Sequence, residues 1–401
     1  MNSFASYFCS IKKRFNWSTY IGYLIFLVAI VVCVTIAQIG LFNRSTLSLL
    51  TQIGYTIIAV ISLSLVVGFL GELSLGHAAF MSIGAICGTL LRQSSWLAPL
   101  SESSPLLTLL IACVFGAIIA GIFGFVISLP ALRLKGDYLA IVTLAFGEIT
   151  KTIFQQIDFF GGAIGLKNKY SYDIYTLFII VFIFAFLFII LVKNLLDSKH
   201  GRAITAIRDN EIAAKCAGIN VTFYKIFVFV LSACIAGVAG VFYGASVNTI
   251  QASTFNYNYS INSILVMVII GGMGSINGGV VAATIVTILD VKLQTKYLTG
   301  DLAAYKDMAY ALILIIVIIY RNAPFLANFR EKYNFTKLIC LIKKGFKIKP
   351  SAKEEAKIKH YNADWSKVPT KIDMNAVLSA GMDEQNPLNT VEVEGDAMNE
   401  Q

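Results

Sequence analysis

Apolar residues in this chain arrive in runs of about 20, the length that carries a helix across roughly 30 Å of hydrocarbon. The runs fall near 20–42, 46–66, 75–91, 107–129, 138–157, 173–193, 223–244, 259–271, 279–291 and 309–320. Inside lipid every backbone N–H and C=O must be bonded internally, so such runs call for helices. The expected fold is an all-α membrane protein, a polytopic bundle of about ten transmembrane helices. Charge usage agrees: 14% of the 401 residues are charged, where a soluble domain carries about a quarter. Runs 259–271 and 279–291 are too short to span without their flanks, and are expected to be re-entrant or broken helices.

The net charge of +9 would suit a nucleic-acid partner if the basic residues were spread over a surface. Instead they gather between apolar runs: Lys12, Lys13 and Arg14; Arg133 and Lys135; Lys199, Arg202, Arg208 and Lys215; then Arg330 to Lys349. Ten crossings with a cytoplasmic start put all four groups inside, as the positive-inside bias requires. Only scattered residues such as Arg44, Arg92, Lys167, Lys169, Lys296 and Lys306 then fall outside. No nucleic-acid partner is implied. The organisation expected is a cytoplasmic N-terminal segment (1–19), a transmembrane domain (20–325), a basic juxtamembrane segment (326–349) lying against anionic lipid, and a disordered polar tail (350–401). The first run is longer than a signal-peptide core and is expected to stay as a helix. Trp17 and Trp96 sit beside run ends, as interfacial aromatics do.

Small residues recur every four positions at Gly116, Ala120 and Gly124, at Ala236, Gly240 and Gly244, and at Gly84 and Gly88. Each set puts small side chains on one helix face, where a neighbouring backbone can approach closely. Seven irregularly spaced cysteines and three histidines form no metal-binding or disulfide pattern. No Gly-Lys dipeptide occurs, so the chain holds no phosphate-binding loop of the Walker type. Nor does any nucleophile–base arrangement stand out, so the chain is expected not to be an enzyme.

The most informative stretch is G-R-A-I-T-A-I-R-D-N-E-I-A-A-K-C-A-G-I-N, residues 201–220. Alanine and charge between apolar runs predict a short helix outside the membrane. Asp209 or Asn210 can cap its start, Glu211 and Lys215 stand i,i+4 in the favourable order, and Gly218 supplies a stop. Ala213, Ala214 and Ala217 leave a smooth flank. Such a helix either docks in a groove of a partner or is a plain amphipathic connector.

The glutamate, paired alanines and glycine of this stretch resemble the coupling segment of ABC-importer permeases, in the version found in LivM-type branched-chain amino-acid permeases. Residues 71–85, G-E-L-S-L-G-H-A-A-F-M-S-I-G-A, residues 132–149, L-R-L-K-G-D-Y-L-A-I-V-T-L-A-F-G-E-I, and residues 269–279, I-I-G-G-M-G-S-I-N-G-G, resemble further segments of that family. Together the likeness spans roughly 45–325. Departures are Gly279 where the family has proline, Arg321–Asn322 for Arg-Pro, and F-G-G-A-I-G at Phe160–Gly165 for T-G-G-x-x-G.

The resemblance implies an inner-membrane, multi-pass permease that takes up branched-chain or related amino acids. Its implied partners are a homologous LivH-like permease, two cytoplasmic ATPase subunits and an extracytoplasmic binding protein. ATP and Mg would sit on the ATPases, leaving this chain without a cofactor. Arg208, Asp209, Glu211, Ala213, Ala214 and Gly218 would couple it to the ATPases.

Candidates for the translocation pathway are Ser74, His77, Tyr138, Thr143, Glu148, Gly271, Gly272, Gly274 and Ser275. Glu148 lies within a run, where an isolated acid costs about 2.5–3.5 kcal/mol. It is either a gate residue or a carboxylate paired with Lys151. His77 is either a hydrogen-bonded structural residue or a substrate contact. The glycine turn at 271–275 opens a helix whose free N–H groups could receive a carboxylate. Alternatives are a permease for urea, another amide or a sugar, and an ion-coupled secondary transporter. The latter would need more intramembrane carboxylates than this chain has.

Overall fold

The computed structural model of the chain describes residues 43–131, 136–170 and 172–292, with 312 and 315. All of these belong to the first of two units, residues 1–322. The expected N-terminal segment, the runs 20–42 and 309–320, the basic pair Arg133/Lys135 and the segments 326–349 and 350–401 lie outside the described residues.

Four helices among the described residues are long and apolar enough to cross a membrane. The first is α1 (Arg44–Leu63), which continues as a π-helical segment, Ser64–Leu70. Then come α4 (Pro105–Ala131), α6 (Ile174–Asp197) and α9 (Val221–Ser246). Shorter or more polar helices account for four of the other expected runs. These are α2 (His77–Gln93), α5 (Asp137–Gln156), and the pair α10 (Val266–Gly271) and α11 (Ile276–Lys292), with a π-helical lead-in at Tyr259–Leu265. A single helical turn and a half, α3 (Ala98–Ser103), precedes α4. The two short runs form a hairpin in which the Gly271 and Gly278 backbones touch: a Cβ on Gly278 would lie 1.9 Å from the Gly271 carbonyl oxygen.

Burial orders these helices. The most apolar stretch of the span Arg44–Leu70 is wholly buried, against 39% of such a stretch in α4 and in α6, while Arg44, Ser45 and Ser48 at its start are exposed. The apolar side chains that α4 exposes, among them Val114, Ile118, Ile122 and Val126, suit a hydrocarbon or partner surface. Helix α1 packs on α6, α9 and α11, while α2 and α4 pack on α9. At that three-helix contact the small residues do what their spacing predicts. A Cβ on Gly240 would lie 1.9 Å from the Met81 carbonyl oxygen, and one on Gly84 2.0 Å from that of Gly237. At the Arg44 end of α1, strands β1 (Leu166–Lys167) and β2 (Thr249–Ile250) pair antiparallel, with Leu166 opposite Ile250.

The predicted helix over 201–220 is two helices, α7 (Lys199–Asp209) and α8 (Glu211–Cys216). Asn210 separates them in extended conformation, and its Oδ1 accepts from the N–H groups of Ile212 and Ala213 at 3.0 Å. Those donors would otherwise have continued the ladder of α7.

Candidate functional site

The segment 199–218 is fastened to the end of α1 by its own sequence. Ser198 caps α7, its hydroxyl accepting from His200 and Gly201 at 3.2 and 3.3 Å. Ile204 and Ile207 bury the inner face, one turn apart. Arg208 then reaches back: its Nη1 donates to the Gly68 carbonyl at 3.2 Å, while Nε and Nη2 donate to Asp209 Oδ1. The arginine stem lies where a side chain on Gly71 would be, 2.6 Å from that Cβ position, and Gly71 holds φ +80°. Only glycine meets both requirements without strain.

Helix α8 ends as its glycine predicts. Gly218 has φ +79°, and the Ile219 N–H donates to the Ala214 carbonyl at 3.0 Å, closing a Schellman turn. Ile212 is 72% exposed and Ala213, Cys216 and Ala217 are open as well, whereas Ala214 is buried in the core of this chain. The smooth flank therefore splits: Ala213 and Ala217 can meet a partner, and Ala214 packs inward.

Glu211 accepts from Lys215 at 2.8 Å, as the i,i+4 spacing predicts, and from Lys225 at 3.3 Å. Lys225, in the first turns of α9, also donates to Glu72 at 2.6 Å. Its side chain is 8% exposed, that of Glu72 15% and that of Glu211 23%. Burial raises the Glu72 pKa above its ordinary value, with Lys225 opposing. The hydrogen bond from Lys215 is the largest effect holding Glu211 below its ordinary value. One ammonium thus serves two carboxylates on separate elements. Removing one member of such a set leaves a poorly compensated charge behind. Neither Lys225 nor Glu72 stands among the sequence-predicted functional residues. The available signal was a lone lysine in an apolar run, which requires a partner.

Three of the pathway candidates meet where the chain passes from Gly71 into α2. Thr143 Oγ1 accepts from the Leu75 N–H at 3.0 Å, and Gly76 lies against the Thr143 backbone. His77 Nε2 meets Ser62 Oγ at 2.6 Å, and the Ser62 carbonyl accepts from Ser232 at 2.7 Å. Ser74 Oγ and His77 Nδ1 are buried and have no hydrogen-bond partner among the described residues. Buried polar atoms left so are few in folded proteins and call for a reason.

The remaining candidates lie elsewhere. Tyr138 is 70% exposed on α5, whereas Thr143 on the same helix is buried. Glu148 is ion-paired with Lys151 and accepts from the Tyr257 N–H at 3.0 Å; it is a paired carboxylate, fixing α5 to the loop before Tyr259. The turn Gly271–Ser275 lies beside Arg208 and Gly68, a Cβ on Gly68 falling 2.7 Å from the Gly274 nitrogen. Ser275 caps α11 itself, its hydroxyl accepting from Gly278 at 3.2 Å and its carbonyl from Gly279 at 3.0 Å. Of the free N–H groups that might have received a carboxylate, that of Gly278 is therefore taken, and Gly279 makes the first ordinary bond of the helix.

The other end of α1, about 36 Å away at 1.5 Å per residue, borders a cavity of about 350 Å³ lined by Arg44, Thr51, Asn168, Tyr170, Tyr172 and Asp173 among others. Arg92 is buried behind it, its guanidinium 4.4 Å from the Tyr172 ring centre and donating to the Tyr170 carbonyl at 3.3 Å. No group of three or more potential metal ligands occurs among the described residues.

A family described as "Branched-chain amino acid transport system / permease component" matches residues 45–319. The high-affinity branched-chain amino acid transport system permease protein LivM of Escherichia coli K12 is 28% identical over 330 residues, covering 74% of this chain and 73% of the relative. LivH of Salmonella typhimurium is 26% identical over 301 residues, 70% of this chain and 92% of its own. A ribose import permease, RbsC of Haemophilus influenzae, is 28% identical over 148 residues, 35% of this chain and 44% of its own. No solved structure matches.

Proposed function

We propose, because this chain belongs to the branched-chain amino acid transport system permease family, that it moves branched-chain amino acids inward while partner ATPases drive it through α8. The family and its relatives are membrane transport permeases rather than enzymes. A permease of this kind requires ATPase components and a second permease, here a homologous LivH-like subunit. Two ATPases would carry the ATP and Mg, and an extracytoplasmic protein would deliver the solute. The Gly68 end of α1 would then face the cytoplasm, consistent with the basic residues of 199–215, and the cavity beside Arg44 would face outward. About ten spans complete this reading.

The observation that carries the coupling role is the anchoring of α8. Its exposed Ile212–Ala213–Ala217 face is free for a partner, while Glu211 through Lys225, the buried Ala214, and Arg208 on the adjoining α7 hold its other side to this chain. A helix held so firmly can pass a push to the bundle. ATP binding on the partners would bias an inward–outward equilibrium through differential contact with the two forms. The unpartnered Ser74 Oγ and His77 Nδ1 mark the buried junction where the pathway would open. The amino-acid reading is favoured over a sugar because the LivM likeness covers most of the chain and the ribose-permease likeness about a third.

The test is uptake of radiolabelled leucine in a deletion strain restored with this gene, with ribose and urea as competing solutes. Leucine uptake that only other branched-chain amino acids suppress supports the substrate; uptake of ribose alone would move the chain to the sugar branch. Glu211→Ala should cut uptake while the protein still inserts, and unchanged uptake would remove α8 from the mechanism.

A further inference from the structure

We propose that Lys225 is a positioning residue through which movement of α8 reaches the buried junction at Ser74–His77; this deepens the coupling reading and rests on it. Three elements meet at its ammonium, one of them far from the other two in sequence. Glu211 belongs to α8, Lys225 to α9, and Glu72 to the stretch Gly71–Gly76 that leads into α2. The separations are 2.6 Å to Glu72 and 3.3 Å to Glu211. The stretch carrying Glu72 bears little other freedom. Its start is Gly71, under the stem of Arg208. Its far end is held by the Leu75–Thr143 bond and the His77–Ser62 contact. A displacement of Glu72 is therefore passed through Ser74 to Leu75 and His77, the positions that tie this stretch to α5 and α1.

Shared ownership of one ammonium gives the device two arrangements. In the form seen here Lys225 binds Glu72 closely and Glu211 more loosely. A shift of α8 by an ångström or two away from α9 would break the longer link and leave Lys225 wholly to Glu72. A shift toward α9 would draw it to Glu211 and release Glu72. The choice weighs most on Glu72, 15% exposed and poorly compensated once Lys225 leaves it, whereas Glu211 keeps Lys215. A second attachment, Arg208 to the Gly68 carbonyl, anchors α7 on the same turn of chain. The segment 199–218 thus reaches residues 68–72 by two routes, directly through Arg208 and, by way of Lys225, through Glu211.

The experiment uses the intact transporter, expressed with its ATPase and binding-protein partners, and reads three quantities. These are ATPase subunits retained on the purified permease, ATP hydrolysis, and solute taken up per ATP. Lys225→Met and Glu72→Gln should keep the ATPases bound and hydrolysing while uptake per ATP falls at least about fivefold, a coupling loss of ordinary allosteric size. The double variant should be no worse than either single one, since each breaks the same link. Ile212→Asp, on the exposed face, should instead release the ATPases. Uptake per ATP unchanged in Glu72→Gln and Lys225→Met, with the ATPases lost from Ile212→Asp, overturns the role of Lys225 and leaves the docking reading standing. ATPases retained in Ile212→Asp would overturn the docking reading itself. If Lys225→Met does not reach the membrane, Glu72→Gln alone decides, because it leaves the lysine paired with Glu211.

Discussion

Asn210 and Glu72 show how much one side chain can decide. The Asn210 side chain stops one helix and starts the next by taking two N–H groups. Asn210→Ala should cost about 1 kcal/mol, the usual loss for a missing cap, seen as a lowered thermal midpoint of the purified protein. The two acids around Lys225 respond to pH with opposite sign. Glu72 is held above its ordinary pKa, so its contribution to stability grows as pH falls through that raised value. Glu211 is held below, so its contribution is present above the ordinary carboxylate value and is lost as pH falls through its own lowered value. Protonated Glu72 and glutamine are both neutral. The difference in thermal midpoint between the protein and Glu72→Gln should therefore shrink as pH falls through the raised Glu72 value. A difference that stays constant from neutral pH into the acid range would contradict this.

At the scale of elements, close backbone approach holds α2, α4 and α9 together. Gly84 meets the Gly237 carbonyl, Gly240 meets that of Met81, and Gly124 meets the Ala233 side chain. Without a hydrophobic driving force between helices in lipid, such contact supplies the packing. Gly240→Ala would set a methyl group 1.9 Å from a backbone oxygen, which neither helix can vacate without moving. Overpacking of this kind costs about 1–3 kcal/mol or more, and the variant should show reduced thermal stability in detergent. Gly218→Ala meets no neighbour within 4 Å but must hold φ +79°; its cost should be the backbone penalty of roughly 1–2 kcal/mol alone. Comparing the two midpoints separates a packing glycine from a conformational one.

Among the described residues most of α1 is buried, while α4 and α6 expose apolar side chains. Under the proposed function the whole molecule stores no energy source of its own. Purified and reconstituted alone, it should not accumulate solute in vesicles on an ion gradient; accumulation there would favour the secondary-transporter alternative.

Sequence determined what local chemistry controls. Run length gives the four helices long and apolar enough to cross among the described residues, small-residue spacing gives the packing faces, and Glu211–Lys215 and Gly218 lie within one helix and its end. The break at Asn210 was half legible, since asparagine caps well but the alanines around it also favour continuing the helix. Only the folded chain decided the meetings of residues far apart. Arg208 bonds a carbonyl 140 positions away, and Lys225 joins Glu72 to Glu211. The direction of Ala214 and the capping of α11 by Ser275 were likewise fixed by neighbours. Periodicity reports which side of a helix is apolar, because burial repeats with the helical turn. It carries no record of which distant charge that side will meet, since that partner is set by how the helices pack.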